Sequence, residues 1–246
     1  RSLALVLMLA VPLSASAQAP ATSTKTRITW LGHAAFLVET PGGANLLIDP
    51  WLQNPRAPKD VELPARIDAV LVSHGHADHV GQVRDYLQKG AKLVAMNELG
   101  MLLGAEMTGN VGAVVEVKDA RVHIVPAVHS SSFDAGDGKA VYAGDPVGFV
   151  IAVANGPTIY HAGDTWIFSE MELIGRLLKP TVAILPIGGH FTMDPETAAV
   201  AVEMLGAKTV VPMHYGTFPL LQGTPQALPR ALQAAKSPAK VEAMQP

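Results

Sequence analysis

The chain reads HGHADH at residues 74–79, directly after the apolar run AVLVS at residues 69–73. A short apolar run bounded by small and polar residues predicts a buried strand that ends in a loop. The loop carries three imidazoles and one carboxylate, all of them side chains that bind metals. Gly75 and Ala77 keep it small, so these groups can converge on one centre or on two neighbouring centres. The junction therefore predicts a metal site at the end of a strand.

The same arrangement recurs at three other strand ends. The run at residues 122–128 ends at His129, the run at 158–160 leads into His161 and Asp164, and the run at 210–213 ends at His214. One His after a strand is more often a structural residue than a metal ligand. Four such ends in one chain favour metal binding instead. Because the chain has no Cys, any metal must be held by His, Asp or Glu.

The composition is typical of a folded protein with a sizeable core. Hydrophobic residues make up 49% of the 246 residues and charged residues 16%, a balance that argues against disorder. The formal net charge is −3 and Lys and Arg form no run, so nothing provides the basic surface that nucleic acids require. We expect a small-molecule substrate and no nucleic-acid partner. The sequence does not determine the oligomeric state.

The N-terminal residues resemble a secretory signal peptide. Arg1 precedes an apolar run from Leu3 to Leu13, and a small-x-small pattern at residues 15–17 follows. The alternative is a membrane anchor, but the run is short of the ~20 residues that span a bilayer and Pro12 interrupts it. We therefore predict a signal peptide at residues 1–19, a linker at 20–26 and one domain at 27–246. The mature protein is expected to be periplasmic or secreted, without stable membrane insertion.

Apolar segments alternate with turn residues along the predicted domain. Strands are predicted at residues 28–30, 35–38, 46–49, 69–73, 92–95, 113–117, 122–128, 149–153, 158–161, 182–186 and 209–213. Helices are predicted at residues 80–89, 168–178, 195–205 and 225–235, the third capped by Asp194 and opened by Pro195. Strands interspersed with helices indicate an α/β protein whose sheets are covered by helices.

These motifs resemble the metallo-β-lactamase superfamily, whose pattern is His-x-His-x-Asp-His, then a downstream His, a bridging Asp and a final His. Further segments are similar to UPF-type metal-dependent hydrolases related to ascorbate-phosphate lactonase, namely residues 30–37, 48–51, 128–133, 159–165, 185–193 and 212–218. The resemblance implies an αββα four-layer sandwich of two mixed sheets flanked by helices. It also implies metals at one edge of the sandwich.

The resemblance assigns two metal-binding sets. It implies that the first metal is bound by His74, His76 and His129, that the second is bound by Asp78, His79 and His214, and that Asp164 bridges them. Imidazole and carboxylate ligands suit Zn²⁺, and Mn²⁺, Fe or Ni²⁺ remain open because geometry and supply decide occupancy. The expected cofactors are therefore two divalent metal ions, with zinc as the default.

Two such ions predict a hydrolase. A metal-bridging hydroxide would attack a small ester, lactone or phosphodiester, with Asp164 and Asp78 as catalytic residues. Either Asp78 or a metal-bound water protonates the leaving group. No Gly-x-Ser-x-Gly elbow offers a serine nucleophile. The alternatives are a di-iron-type redox protein and a non-catalytic metal-binding protein of the same fold.

Four further polar residues are expected to support the ligands or face the substrate. Asp49 either orients a metal-binding His or begins the turn with Pro50. His161 is expected to support the ligands rather than to bind metal. His33 and His190 are expected to face the metals from the substrate side.

Several aromatic residues near these loops either line the pocket or simply pack at its base: Trp51, Phe133, Tyr215 and Phe218.

Overall fold

Strands and helices alternate along residues 25–105 and 108–245, which are the residues that the computed structural model describes. The predicted signal peptide and most of the predicted linker lie outside these residues. The strands are β1 (Arg27–Trp30), β2 (Phe36–Glu39), β3 (Asn45–Ile48), β4 (Ala69–Leu71), β5 (Lys92–Val94), β6 (Val114–Val117), β7 (Ala120–Pro126), β8 (Ser132–Asp134), β9 (Ala140–Tyr142), β10 (Val147–Val153), β11 (Thr158–His161), β12 (Val182–Pro186), β13 (Thr209–Met213) and β14 (Lys240–Val241). The helices are α1 (Ala77–Val80), α2 (Val83–Gln88), α3 (Asn97–Leu102), α4 (Glu170–Leu178), α5 (Pro195–Leu205) and α6 (Leu228–Ala234).

The strands form two large mixed sheets and one hairpin. The five-stranded sheet has the order β1-β2-β3-β4-β5, antiparallel at β1-β2-β3 and parallel at β3-β4-β5. The seven-stranded sheet has the order β14-β13-β12-β11-β10-β7-β6, parallel from β11 to β14 and antiparallel elsewhere. The hairpin pairs β8 with β9. Two mixed sheets are what the resemblance to the metallo-β-lactamase superfamily implies.

Side chains of the central strands alternate between two cores. Leu46 and Ile48 of β3 belong to the core that also contains Phe149 of the other sheet, whereas Leu47 packs with Val83 of α2 and Leu99 of α3. A strand points successive side chains to opposite faces, so one face of β3 meets the second sheet and the other meets helices. Helix α5 covers the seven-stranded sheet in turn. The architecture is thus the predicted αββα sandwich.

The predicted helix at residues 80–89 is shorter in the structure: α2 covers residues 83–88, and Val80 ends a separate helix, α1, that begins at Ala77 in the predicted ligand loop. Gly81 lies between α1 and α2 with φ +41°, and a Cβ atom there would collide with the carbonyl oxygen of Pro50. The backbone N–H of Gln82 donates to that same oxygen at 2.9 Å. A tertiary contact with the loop after β3 therefore ends the first helix. The short elements α3 and β14 were not predicted. Among the described residues, none of the helices has both the length and the apolar character that spanning a membrane requires.

Candidate metal centre

The predicted ligands come together at one edge of the sandwich. His74 and Asp49 follow the parallel strands β4 and β3, and Asp164 and His214 follow the parallel strands β11 and β13. The carboxyl ends of parallel strands meet at the same sheet edge, so these loops converge. His129 follows β7 and joins them. Rigid strands therefore position every predicted ligand segment.

Asp164 lies at the middle of the cluster. Its Oδ2 atom is 3.0 Å from Nε2 of His214, 3.3 Å from Nε2 of His79 and 3.6 Å from Nε2 of His129. The carboxylate is buried, as are His79 and His214. One oxygen atom thus faces imidazoles that come from three different loops.

The potential ligand atoms fall into three overlapping groups. Within each group the atoms lie within 4.8 Å of one another, and the groups are His74, His76 and His129, then His74, His79 and Asp164, then His33, Asp78, His79 and His214. The first group has the same members as the first metal-binding set that the resemblance implies. The third contains the whole second set and adds His33. The middle group links the two through Asp164.

Several buried ligand atoms make no hydrogen bond of good geometry with any residue in the ranges 25–105 and 108–245. They are Nε2 of His79, Nε2 of His214 and Oδ1 of Asp164. An unsatisfied buried polar atom costs about 1–3 kcal/mol, so native proteins rarely leave several together. A divalent cation would give all three a partner. The donors are nitrogen and oxygen only, which fits Zn²⁺ and related transition metals.

Asp49 contacts a predicted ligand directly. Its Oδ2 accepts hydrogen bonds from Nδ1 of His79 at 2.8 Å and from Oγ of Ser73 at 2.7 Å, and its Oδ1 accepts one from the backbone N–H of Ser73 at 2.8 Å. A carboxylate on Nδ1 keeps the proton there and leaves the Nε2 lone pair for a metal. If Asp49 orients a metal-binding His, as one of its two predicted roles requires, this is the contact through which it does so. Ser73 was not predicted, although a hydroxyl residue directly before His74 was the available signal.

Charges within the cluster shift the pKa values of both carboxylates downward. Burial alone would raise the pKa of Asp164, but His214 and His79 hold it well below its ordinary value. Burial would also raise the pKa of Asp78, but a hydrogen bond from His33 and the charge of His79 lower it. Both carboxylates are therefore anions at neutral pH, the form that binds a cation.

The pKa values of the imidazoles shift in different directions, depending on the groups around each ring. Burial would lower the pKa of His79, but Asp164 and Asp49 raise it well above its ordinary value. Burial lowers the pKa of His74 well below its ordinary value, and His79 lowers it further. Burial lowers the pKa values of His76 and His129 as well. A protonated His79 is the imidazole that a bound cation would have to deprotonate.

His33 lies behind Asp78, not on the open side where it was predicted. Its Nε2 is 3.1 Å from Oδ2 of Asp78, and its Nδ1 is 2.6 Å from Oγ1 of Thr217. Burial lowers its pKa to about 4 despite the bond to Asp78, so the ring is neutral at pH 7. The neutral tautomer that satisfies both contacts donates to Asp78 and accepts from Thr217. His33 is fully buried and can reach substrate only through Asp78.

The other two predicted histidines do not belong to the groups of potential ligand atoms found among the described residues. Buried His161 has Nε2 at 3.0 Å from the carbonyl oxygen of Ala34, and its Nδ1 accepts a hydrogen bond from the backbone N–H of Gly163. It ties the loop of Asp164 to the loop of His33. His190 is exposed and lines a separate polar pocket beside α5, so its predicted place facing the metals is wrong. Its neighbour Phe191 occupies that place.

An open cleft of about 710 Å³ lies over the cluster. Its floor contains five of the predicted ligands: His76, Asp78, His129, Asp164 and His214. Its walls are formed by Trp51, Ala77, Ser130, Phe191, Phe218, Pro219 and Leu220. Of the four aromatic residues that the sequence suggested could line the pocket, Trp51 and Phe218 do so.

The other two aromatic residues, Phe133 and Tyr215, pack against other side chains and do not line the cleft. Phe133 joins the core beneath the short helices, and Tyr215 packs against Trp30 with ring centroids 5.2 Å apart.

Fold and site together define a metallo-hydrolase of the β-lactamase superfamily. A family model described as "Beta-lactamase superfamily domain" matches residues 27–214, which include every predicted ligand. The solved structure of Igni18, a metallo hydrolase from Ignicoccus hospitalis, superimposes with a TM-score of 0.78 at 36% sequence identity. That match covers 90% of this chain and 95% of the other.

Closer relatives narrow the assignment. A "UPF0173 metal-dependent hydrolase" from Myxococcus xanthus is 54% identical over 229 residues, covering 90% of this chain and 82% of the relative. Another from Anaeromyxobacter is 48% identical over 236 residues, covering 90% of this chain and 85% of that relative. The chain therefore belongs to the UPF0173 metal-dependent hydrolases of the β-lactamase superfamily.

Proposed function

We propose that this protein hydrolyses a small ester, lactone or phosphodiester with two divalent metal ions, by default Zn²⁺, held at the cluster. The observation that carries the proposal is the position of Asp164, whose Oδ2 lies 3.6 Å from His129 of the first set and 3.3 Å and 3.0 Å from His79 and His214 of the second. Two such ions, when bound, lower the pKa of a shared water from 15.7 toward ~7 and polarise the scissile oxygen. Manganese, iron and nickel remain candidates because the same donors suit them.

Different residues of the protein would bind each metal ion and orient the ligands. His74, His76 and His129 would hold one ion and Asp78, His79 and His214 the other, with Asp164 placed between the two sets. Asp49 keeps the proton of His79 on Nδ1, which leaves Nε2 free to bind. His74, His79, Asp164 and His214 are buried, which limits the access of water to their ligand atoms.

Asp78 is the candidate for moving a proton. It lines the cleft, and its side chain is 23% exposed, whereas the Asp164 side chain is 3% exposed. The lowered pKa keeps Asp78 an anion at neutral pH, and it could accept the proton of the attacking water once bound metal ions have made that water acidic. The same carboxyl can then return that proton to the leaving group. The bond from His33 holds Asp78 in place for both steps.

Replacing Asp164 tests the proposal. We expect Asp164→Ala to lose metal and hydrolysis together, because the variant removes the carboxylate that contacts His129 of the first set and both His79 and His214 of the second. Metal content is measured by mass spectrometry, and hydrolysis is measured on a panel of lactones, esters, thioesters, phosphodiesters and a β-lactam. Asp137→Ala, in the exposed hairpin between β8 and β9, is the matched control. Full activity in Asp164→Ala would refute the two-metal proposal.

A further inference from the structure

The walls of the cleft differ in chemistry from its floor. Their side chains are mostly apolar or aromatic, and no Lys or Arg is found among the described residues that line the cleft. We propose that the substrate is an uncharged lactone or carboxylic ester that carries a flat apolar ring beside the scissile carbonyl. This inference rests on the proposed hydrolase function and specifies its substrate class.

An aromatic wall is built into one side of the cleft. The rings of Trp51 and Phe218 are stacked, with centroids 5.8 Å apart and planes inclined by 13°. The buried ring of His33 meets both edge-on, at 5.1 Å from Trp51 and 5.6 Å from Phe218. Aromatic faces of this kind favour offset or edge contacts with another flat ring. The wall therefore presents a binding surface for a planar apolar group.

The wall is fixed relative to the candidate metal centre. The backbone N–H of Trp51 donates to the carbonyl oxygen of Asp49 at 2.7 Å, and Asp49 in turn holds His79. On the other side, Phe218 follows His214 by four residues, and the intervening Thr217 bonds to His33. A ring that stacks on this wall would thus be held at a set position relative to the ligands. Such positioning is what speeds attack on a bound carbonyl.

Apolar side chains continue from the wall to the mouth of the cleft. Phe191 is 47% exposed and Leu220 is 52% exposed, and both line the cleft. Clusters of exposed large apolar side chains on a soluble domain usually mark a binding surface. A substrate with an apolar ring would cover these side chains as it enters.

The charges of the cleft disfavour substrates with an additional anionic group. The carboxylates of Asp78 and Asp164 lie on the floor, and the nearby guanidinium of Arg56 lies over Trp30 and Tyr215, not along the cleft. A remote phosphate or carboxylate would be buried against apolar walls without a cationic partner. A phosphodiester would have only the two metal ions as cationic partners, because no Lys or Arg among the described lining residues is placed to pair with an oxygen that the ions leave free. A neutral carbonyl substrate avoids both penalties.

The test compares matched lactones with the metal-loaded protein. Dihydrocoumarin and δ-valerolactone share a six-membered lactone, and only dihydrocoumarin carries a fused benzene ring. Each kcat/KM is divided by the rate constant for hydroxide in solution, which corrects for the better leaving group. We expect a preference of about tenfold or more for dihydrocoumarin. Dihydrocoumarin with a carboxylate on its ring, and bis(p-nitrophenyl) phosphate, should be hydrolysed less efficiently than dihydrocoumarin itself.

Two variants connect that preference to the wall. Trp51→Ala and Phe218→Ala should each lower the corrected preference by about tenfold, mainly through KM. Tyr142→Ala, which removes an exposed aromatic ring on β9, is the control and should leave the preference unchanged. Chroman, the ring ether without a carbonyl, provides a readout besides turnover. It should inhibit the wild type competitively and inhibit both wall variants more weakly.

Failure of this inference is distinguishable from failure of the proposed function. If the protein hydrolyses lactones with a corrected preference near one, or with equal preference in both wall variants, the inference is overturned and the hydrolase proposal stands. Faster hydrolysis of the carboxylated lactone or of the phosphodiester overturns it as well. If metal-loaded protein cleaves no member of the panel, the hydrolase proposal fails and the inference fails with it.

Discussion

The bond between Asp49 and His79 allows a sharp test of how the cluster is organised, through Asp49→Asn. Asn has the same shape as Asp and tolerates the positive φ of +43° at this position, so the backbone is not strained. In the wild type, both carboxylate oxygens of Asp49 act only as acceptors. One accepts from the backbone N–H of Ser73, and the other accepts from the Ser73 hydroxyl and from Nδ1 of His79.

An amide cannot reproduce this pattern in either orientation. If its NH₂ group faces the backbone N–H of Ser73, two donors meet at a distance of 2.8 Å. If it faces His79, Nδ1 must become an acceptor and the proton moves to Nε2, which then cannot bind a metal. One buried unsatisfied donor should lower the free energy of unfolding by about 1–3 kcal/mol. Loss of the orienting carboxylate should lower metal affinity by about 10–100-fold.

Two measurements check these magnitudes. Urea unfolding of the metal-free protein gives the loss of stability, and competition with a chelator gives the metal affinity of the folded variant. Asp85→Asn on the exposed face of α2 is the matched control and should change neither quantity. A folded Asp49→Asn protein with wild-type metal affinity would refute the argument that Asp49 orients His79.

Three further predictions concern stability, pH and export. Asp194→Ala removes the capping box of α5 and should lower the free energy of unfolding by about 1 kcal/mol without changing hydrolysis, as chemical denaturation and activity assays would show. Burial lowers the pKa of His161, so the unfolded state takes up a proton first as the pH falls below about 6.5, and metal-free protein loses stability in that range. His161→Gln should reduce the slope of the unfolding free energy against pH by up to ~1.4 kcal/mol per pH unit. Urea titrations at several pH values that give the variant the same slope as the wild type would contradict this. Expression with the N-terminal segment should yield periplasmic protein cleaved near Ala17 or Ala19, and retention of the segment in N-terminal sequencing would exclude the predicted signal peptide.

Much of the fold follows from local patterns in the chain. Successive residues of β3 enter two different cores because strand side chains alternate with a period of two, and the apolar run that predicts β3 is visible in the sequence. Asp194 and Pro195 open α5 as predicted, because both the cap and the missing N–H act within one helical turn. Such features need no knowledge of distant segments.

The break at Gly81 depends on a distant part of the chain. An isolated pattern at residues 80–89 predicts one helix, and only the loop at Pro50 shows why the chain must turn between α1 and α2.

The presence of Phe191 instead of His190 at the cleft has a local cause. His190 adopts a φ of +60°, and that local turn decides which of two neighbouring side chains faces the cluster.

The sequence by itself determined which side chains carry metal-binding chemistry and that each stands at the end of an apolar segment, because residue type and hydrophobic periodicity are local properties. Only the tertiary structure decided which of these groups meet. Thr217 bonds to His33 across 184 residues, and His161 bonds to Ala34 across 127 residues. Partners so far apart in the chain are set by how the two sheets pack face to face, which no local pattern encodes.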